Sequence, residues 1–189
     1  MKTSALTLAY FLALSAAQAL TLQGTVLGGG ALPSSARLGV WSEGAAGSAG
    51  TELASVPISA GAFALPLPET APGPRARYPL RPEAISWPGV IGDVKVSALV
   101  QASDLGLYVY DDTNGNTRRD ANEPLLDAFP EVQRQPVVTV WVSGDVKVSG
   151  GRGFELSLRS GWNTFTVELG RVANVSAFKG QPVSVRVQR

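Results

Sequence analysis

Apolar and polar residues alternate along nearly the whole chain. Leu20 and Leu22, followed by Thr25-Val26-Leu27, open a first period-two run, and Leu38-Gly39-Val40-Trp41 makes a second. Leu53 to Ile58 and Phe63 to Leu67 follow, split by Ser59-Ala60-Gly61. Val94 to Val100 alternates cleanly, as does Leu105 to Tyr110. Val137 to Val142, Asp145 to Val148, Phe154 to Leu158, Phe165 to Leu169 and Val183 to Val187 complete the set. Successive side chains of a strand point to opposite faces, so short runs of this period, bounded by Gly, Pro, Ser, Asn and Asp, predict half-buried β-strands. No stretch sustains the 3.6-residue period of an amphipathic helix. Pro124-Leu125-Leu126-Asp127-Ala128 offers at most one short helical turn. The pattern predicts an all-β chain, an antiparallel β-sandwich with no substantial helix, whose turns draw on 21 glycines and 13 prolines.

One stretch breaks the alternation. Pro66, Pro68, Pro72, Pro74, Pro79, Pro82 and Pro88 fall within 23 residues. Proline has no N–H to give a ladder, so this segment cannot be a central strand. It is read as a crossover at residues 66–92 on one sandwich spanning 20–189. The alternative is a linker between two lobes, 20–67 and 93–189. A lobe of about four short strands without disulfides would be marginal alone, which favours the shared core. Gly92-Asp93-Val94-Lys95-Val96-Ser97 recurs as Gly144-Asp145-Val146-Lys147-Val148-Ser149. The flanks do not match, so the recurrence is read as a Gly-Asp turn entering a strand twice, not as a duplicated unit.

The N-terminus changes which residues are expected to fold. Lys2 is the only charge before Gln23, Ala5 to Ala17 is apolar or small, and Ala17-Gln18-Ala19 is a small-x-small site. These features predict a signal peptide over residues 1–19, cleaved after Ala19, and a secreted or periplasmic product. The apolar run is shorter than the ~20 residues a membrane span needs. Losing Lys2 leaves 15 basic residues against 15 acidic ones. A formally neutral chain offers no electrostatic footprint for nucleic acid. With neither cysteine nor histidine, a Ser-His-Asp triad, a cysteine nucleophile and a His/Cys zinc site are excluded.

The sharpest chemical signal is the acidic loop that follows Tyr110. Counted from Asp112, side-chain oxygens fall at positions 1 (Asp112), 3 (Asn114), 5 (Asn116), 9 (Asp120) and 12 (Glu123), and the Arg118 carbonyl stands at position 7. This is the ligand spacing of an EF-hand loop, and calcium is a hard cation that takes six to eight oxygens. A start at Asp111 would put Gly115 at position 5, where it has no side-chain ligand. Two features depart from the EF-hand. Position 6 is Thr117, with Gly115 two places earlier, and a strand rather than a helix precedes the loop. A plain hairpin turn at Asn114-Gly115 is the competing reading, but it accounts for neither Asp120 nor Glu123. Three carboxylates, two asparagines and the neighbouring Arg118 and Arg119 predict weak calcium binding, with Kd on the order of 10⁻⁴–10⁻³ M.

Asp112-Thr113-Asn114-Gly115-Asn116 through Asp120-Ala121-Asn122-Glu123-Pro124 resembles the D-x-N-x-N-x-x-x-D-x-x-E-P segment in B-type repeats of bacterial surface adhesins. Leu22-Gln23-Gly24-Thr25-Val26 and Gly61-Ala62-Phe63-Ala64-Leu65-Pro66-Leu67 are similar to strands of carboxypeptidase-regulatory-like sandwiches. The resemblance implies an Ig-like or prealbumin-like sandwich, calcium as the bound ion, a structural or adhesive role at the cell envelope and no catalytic residue. A carbohydrate-binding module is the alternative function. Trp41, Trp87, Trp141 and Trp162 are its candidate stacking residues, and Trp87 in the proline-rich stretch is the one expected to be exposed. A carboxylate-dependent glycoside hydrolase is the third reading, with Glu43, Glu52, Asp93, Asp104, Asp145 and Glu155 available. The expected partner is an envelope component or glycan, and the expected state is a monomer.

Overall fold

A computed structural model describes residues 20–28, 31–43 and 49–188. The expected signal segment, residues 1–19, lies outside the described residues. The strands are β1 (Thr21–Leu27), β2 (Ala36–Glu43), β3 (Ala49–Pro57), β4 (Ala62–Pro66), β5 (Tyr78–Pro79), β6 (Lys95–Val96) and β7 (Gln101–Asp111). They continue as β8 (Leu126–Val132), β9 (Gln135–Val142), β10 (Val146–Ser149), β11 (Glu155–Leu158), β12 (Gly161–Leu169), β13 (Ala173–Ala177) and β14 (Val183–Val187). Only short 3-10 turns interrupt them, at Pro74–Ala76, Pro82–Ala84 and Gly151–Gly153. The protein is all-β, in a sandwich- or barrel-like arrangement. No helix among the described residues is long and apolar enough to cross a membrane.

The main sheet runs β13-β12-β9-β7-β8-β14-β1-β4, with β2, β3 and β5 attached beside it; β11-β10-β6 forms a smaller sheet. Strand β7 organises the larger one. On one side it pairs with β2 along its length, from Ala36↔Asp111 to Glu43↔Asp104. On the other, its start takes β9 and its end takes β8. Pairing is antiparallel except between β1 and β14, which run parallel from Gly24↔Val183 to Leu27↔Arg186. Gly24 is required there, because a Cβ at this position would lie 1.7 Å from the Val183 carbonyl oxygen.

Inward-facing residues form two large apolar clusters. One joins Leu22, Leu38, Leu65, Val109 and Val185. The other joins Tyr78, Trp87, Val140, Val142, Phe154 and Phe165. A third, aromatic cluster packs Trp41 edge-on against Tyr108 and Tyr110, at centroid distances of 5.2 and 5.9 Å.

Several sequence expectations are corrected. The run from Val94 to Val100 is a strand only at Lys95–Val96, and Leu99 is 98% exposed. Ser97 ends the pairing by accepting the Lys147 amide on its hydroxyl. The two Gly-Asp-Val-Lys-Val-Ser segments pair with each other, Val96 opposite Val148 and Lys95 opposite Ser149. The segment from Pro124 to Ala128 contributes to a strand, β8, and not to a helical turn. Strand β13 was not predicted. Trp87 is 5% exposed, packed edge-on against Phe165. Its indole N–H donates to Asp104 at 2.8 Å, so it cannot serve as an exposed stacking face. Trp41 and Trp141 are buried as expected. Trp162 is half-buried, and its N–H donates to the Thr70 carbonyl.

Candidate metal centre

The acidic loop begins where β7 leaves the sheet. Ser35 holds the exit: its hydroxyl donates to Asp111, and its carbonyl accepts the Asp112 amide at 3.2 Å. The next turn is built by side chains that cap their own backbone. Asn114 Oδ1 accepts the Asn116 amide at 3.0 Å, and Asn116 Oδ1 accepts the Arg118 amide at 2.8 Å. Such asparagine turns hold the chain curled without a ladder. Thr117, at position 6, adopts the left-handed conformation with φ 67°, and its amide donates to Asp112 Oδ2 at 2.9 Å. The left-handed residue therefore falls where an EF-hand places glycine, although here the residue is threonine.

Glu123 closes the loop. Its Oε1 accepts the Thr113 amide at 2.9 Å and the Thr113 hydroxyl at 3.2 Å, and its Oε2 accepts the Asp120 amide at 2.9 Å. It is 2% exposed. Asp120 Oδ2 lies between the two asparagines, 2.6 Å from Asn114 Nδ2 and 2.9 Å from Asn116 Nδ2. Asn114, Asn116 and Asp120 are thus brought together, and Glu123 reaches the backbone of Asp120. The Asp112 side chain reaches the loop through the Thr117 amide, and its carbonyl accepts the Gly115 amide at 3.3 Å. Arg118 is exposed. Asp112 is 5% exposed, and its Oδ1 has no hydrogen-bond partner. Among the described residues, no group of three or more His, Cys, Asp or Glu side chains is placed to hold one metal ion. The carboxylates here are separated by amides and backbone N–H groups.

The donor set nevertheless suits a hard cation. It consists of carboxylate and amide oxygens, with one buried carboxylate oxygen unpaired. The two asparagines present Nδ2 to Asp120, as befits a lone carboxylate at the centre. An Oδ1 offered to a cation would have to be shared with, or give up, its bond from the Asn116 or Arg118 amide.

The loop is fastened from outside by residues that sequence spacing did not single out. Arg37 on β2 donates to the Ser55 hydroxyl and carbonyl, each at 3.2 Å, and its Nε lies 3.9 Å from Asp112 Oδ2. Ser55 on β3 donates to the Thr117 carbonyl at 3.3 Å, and Glu52 accepts the Arg119 amide at 3.2 Å. The Tyr110 hydroxyl donates to Glu52 at 3.0 Å and lies 3.1 Å from Ser55 Oγ. Burial raises the Tyr110 pKa above its ordinary value, with Glu52 adding to the rise. No signal local to the loop could have found these residues, because the sheet brings them in from β2 and β3.

Comparison of the chain with family models, with curated proteins and with solved structures gives no match.

Proposed function

We propose that the chain is an exported, non-catalytic β-sandwich that binds one calcium ion in residues 112–123 and has a structural or adhesive role at the cell envelope. The observation that carries this reading is the buried, unpaired Oδ1 of Asp112. A buried acceptor left unpaired costs about 1–3 kcal/mol. A cation would supply its missing partner. Asp112, Asn114, Asn116, the Arg118 carbonyl, Asp120 and Glu123 would hold the ion. Ser35, Ser55 and Glu52 already tie the loop to the sheet, so the ion would stiffen a docked loop and not drive a large rearrangement.

Calorimetric titration with calcium, on wild type and on Asp112→Ala/Glu123→Ala, tests the reading. The expected result is one site per chain in the wild type, lost in the double variant, with magnesium a poor substitute because it demands a smaller octahedral shell. Absence of calcium binding at millimolar ion in a folded wild type would overturn it.

A further inference from the structure

Strands β2 and β7 meet the acidic loop at one end. At the other end their side chains line an open cleft of about 320 Å³. Its walls come from β2, β7, β8, β9 and the proline-rich segment. Three carboxylates, Glu43, Asp104 and Asp127, face it, and among the described residues no lysine, arginine, asparagine or glutamine does. The remaining wall is largely aliphatic and aromatic, with Phe129 48% exposed.

The acids are held in place. Glu43 and Asp104 are directly opposed across the β2–β7 ladder. Tyr108 donates to Glu43 Oε1 at 2.5 Å. Tyr78 and Trp87 donate to the two oxygens of Asp104, at 2.5 and 2.8 Å. Gly106, a mid-strand glycine, makes the room: a Cβ there would fall 2.0 Å from Glu43 Oε1. Among the described residues, nothing donates to Glu43 Oε2. Asp127 is exposed at the rim.

This combination of concavity, apolar wall and convergent polar groups is that of a small-molecule site, and its chemistry selects the ligand. A sugar needs several donors as well as acceptors from its site. Here the Tyr78, Tyr108 and Trp87 donors are already spent on the acids, and Thr139 is paired with Thr164. That leaves the Ser86 hydroxyl as the one unspent side-chain donor among the described lining residues. A hydrated metal ion would gain nothing from the apolar wall, and the three acids are not placed as a metal-binding group. An ammonium or guanidinium brings only donors and positive charge, and an aliphatic stem matches the wall.

We propose that this cleft binds an organic cation, a primary ammonium or guanidinium carried on an aliphatic stem, either as a free amine or as a lysine or arginine side chain of a partner. Glu43 and Asp127 make the charged contacts, and Asp104 holds the floor together. Glu43 on β2 is faced by Asp104 and Tyr108 from β7, Asp127 from β8 and Tyr78 from β5. Burial, followed by the neighbouring Asp104 and Asp127 charges, raises its carboxyl pKa against the lowering pull of the Tyr108 hydroxyl. A bound cation offsets that cost, so binding releases protons and tightens as the pH rises through the carboxylate range.

The test is calorimetric titration with butylammonium, butylguanidinium, Nα-acetyl-lysine amide and 1-butanol on the full chain. At least one cation should bind at one site, about tenfold more tightly than butanol. Glu43→Gln should weaken that binding about tenfold. Exposed Asp127→Asn, which removes no packing, should weaken it a few-fold. Binding of butylammonium but not of the lysine derivative identifies a free amine; the reverse identifies a partner's side chain. Asp112→Asn should leave amine binding intact while it impairs calcium binding, so the two sites fail separately. Equal affinity for butanol, undiminished binding by both acid variants, or no binding of any cation would overturn the proposal.

Discussion

Asp112→Asn separates an ion site from a self-contained loop. Asparagine keeps an acceptor for the Thr117 amide, which now reaches Asp112 Oδ2 at 2.9 Å. It replaces the unpaired, buried Oδ1 with a neutral group. In chelator the variant should therefore match the wild type within about 1 kcal/mol. The difference should appear with calcium. At an ion concentration about fifty times Kd, binding to the folded state alone adds about 2.3 kcal/mol. For a chain of this size that raises Tm by roughly 5–9 °C. Removing one charged ligand should weaken Kd about tenfold or more, which cuts the gain to about 1 kcal/mol or less. Thermal unfolding in about 5 mM calcium, in magnesium and in chelator reads all three terms. Equal calcium shifts in wild type and variant, or a variant several kcal/mol less stable in chelator, would refute the reasoning. The first outcome would move the ion elsewhere; the second would make Asp112 a structural anchor.

Three further substitutions probe the frame. Thr117→Gly relieves a left-handed threonine at φ 67°; denaturant unfolding should show a net gain of about 0.5–1 kcal/mol, after the entropy glycine returns to the unfolded chain. Gly24→Ala would place a methyl 1.7 Å from the Val183 carbonyl and should cost about 3 kcal/mol or more by opening the parallel β1–β14 pair. Glu43→Gln should stabilise the protein at neutral pH. The raised Glu43 pKa means the folded state holds its proton longer than the unfolded chain, so wild-type stability falls as pH rises from the ordinary carboxylate range through the raised value. The gain should vanish near pH 4 and below, and a Gln variant less stable than wild type at neutral pH would contradict it.

Alternation made most strands legible because burial on one face leaves a period-two trace. It failed where the inward residues are small, where a proline interrupts them, or where an alternating run lacks a partner strand. Strand β13 carries Val175 as its only large apolar residue and is an edge strand held by its ladder to β12. Strand β8 does alternate, through Leu126, Ala128, Pro130 and Val132, but Pro130 concealed it; this proline stands opposite Val185. Val94 to Val100 alternates without being a full strand, because its ladder to β10 covers Lys95 and Val96 and stops at Ser97, whose hydroxyl takes the Lys147 amide. Trp87 misled for a related reason. Its neighbours are prolines typical of a surface crossover, yet Asp104 and Phe165 supply an acceptor and an aromatic face from β7 and β12. In the acidic loop the register of oxygens was readable, as was the strained position 6. The fasteners Arg37, Glu52 and Ser55 were not, because nothing in a sequence records which strand lies beside β7.

That shared β2–β7 pair yields a final prediction about the two sites. Asp104 and Asp112 are eight residues apart in sequence, about 26 Å of extended strand. The screening length at physiological salt is about 8 Å, so the charge of a bound ion is not felt at the cleft. Mechanical coupling would need β2 to shift along β7. The ladder resists this. A Cβ on Gly106 of β7 would lie 2.0 Å from Glu43 Oε1 of β2. The Glu43 side chain thus lies over a glycine of the neighbouring strand in this register, and a slip would bring a bulkier position beneath it. The two sites should accordingly act independently, as distant positions without shared partners do. Butylammonium affinity measured in saturating calcium and in chelator should agree within about twofold. A tenfold difference would show that β2 and β7 move as a lever between the loop and the cleft, and the rigid-ladder argument would fall.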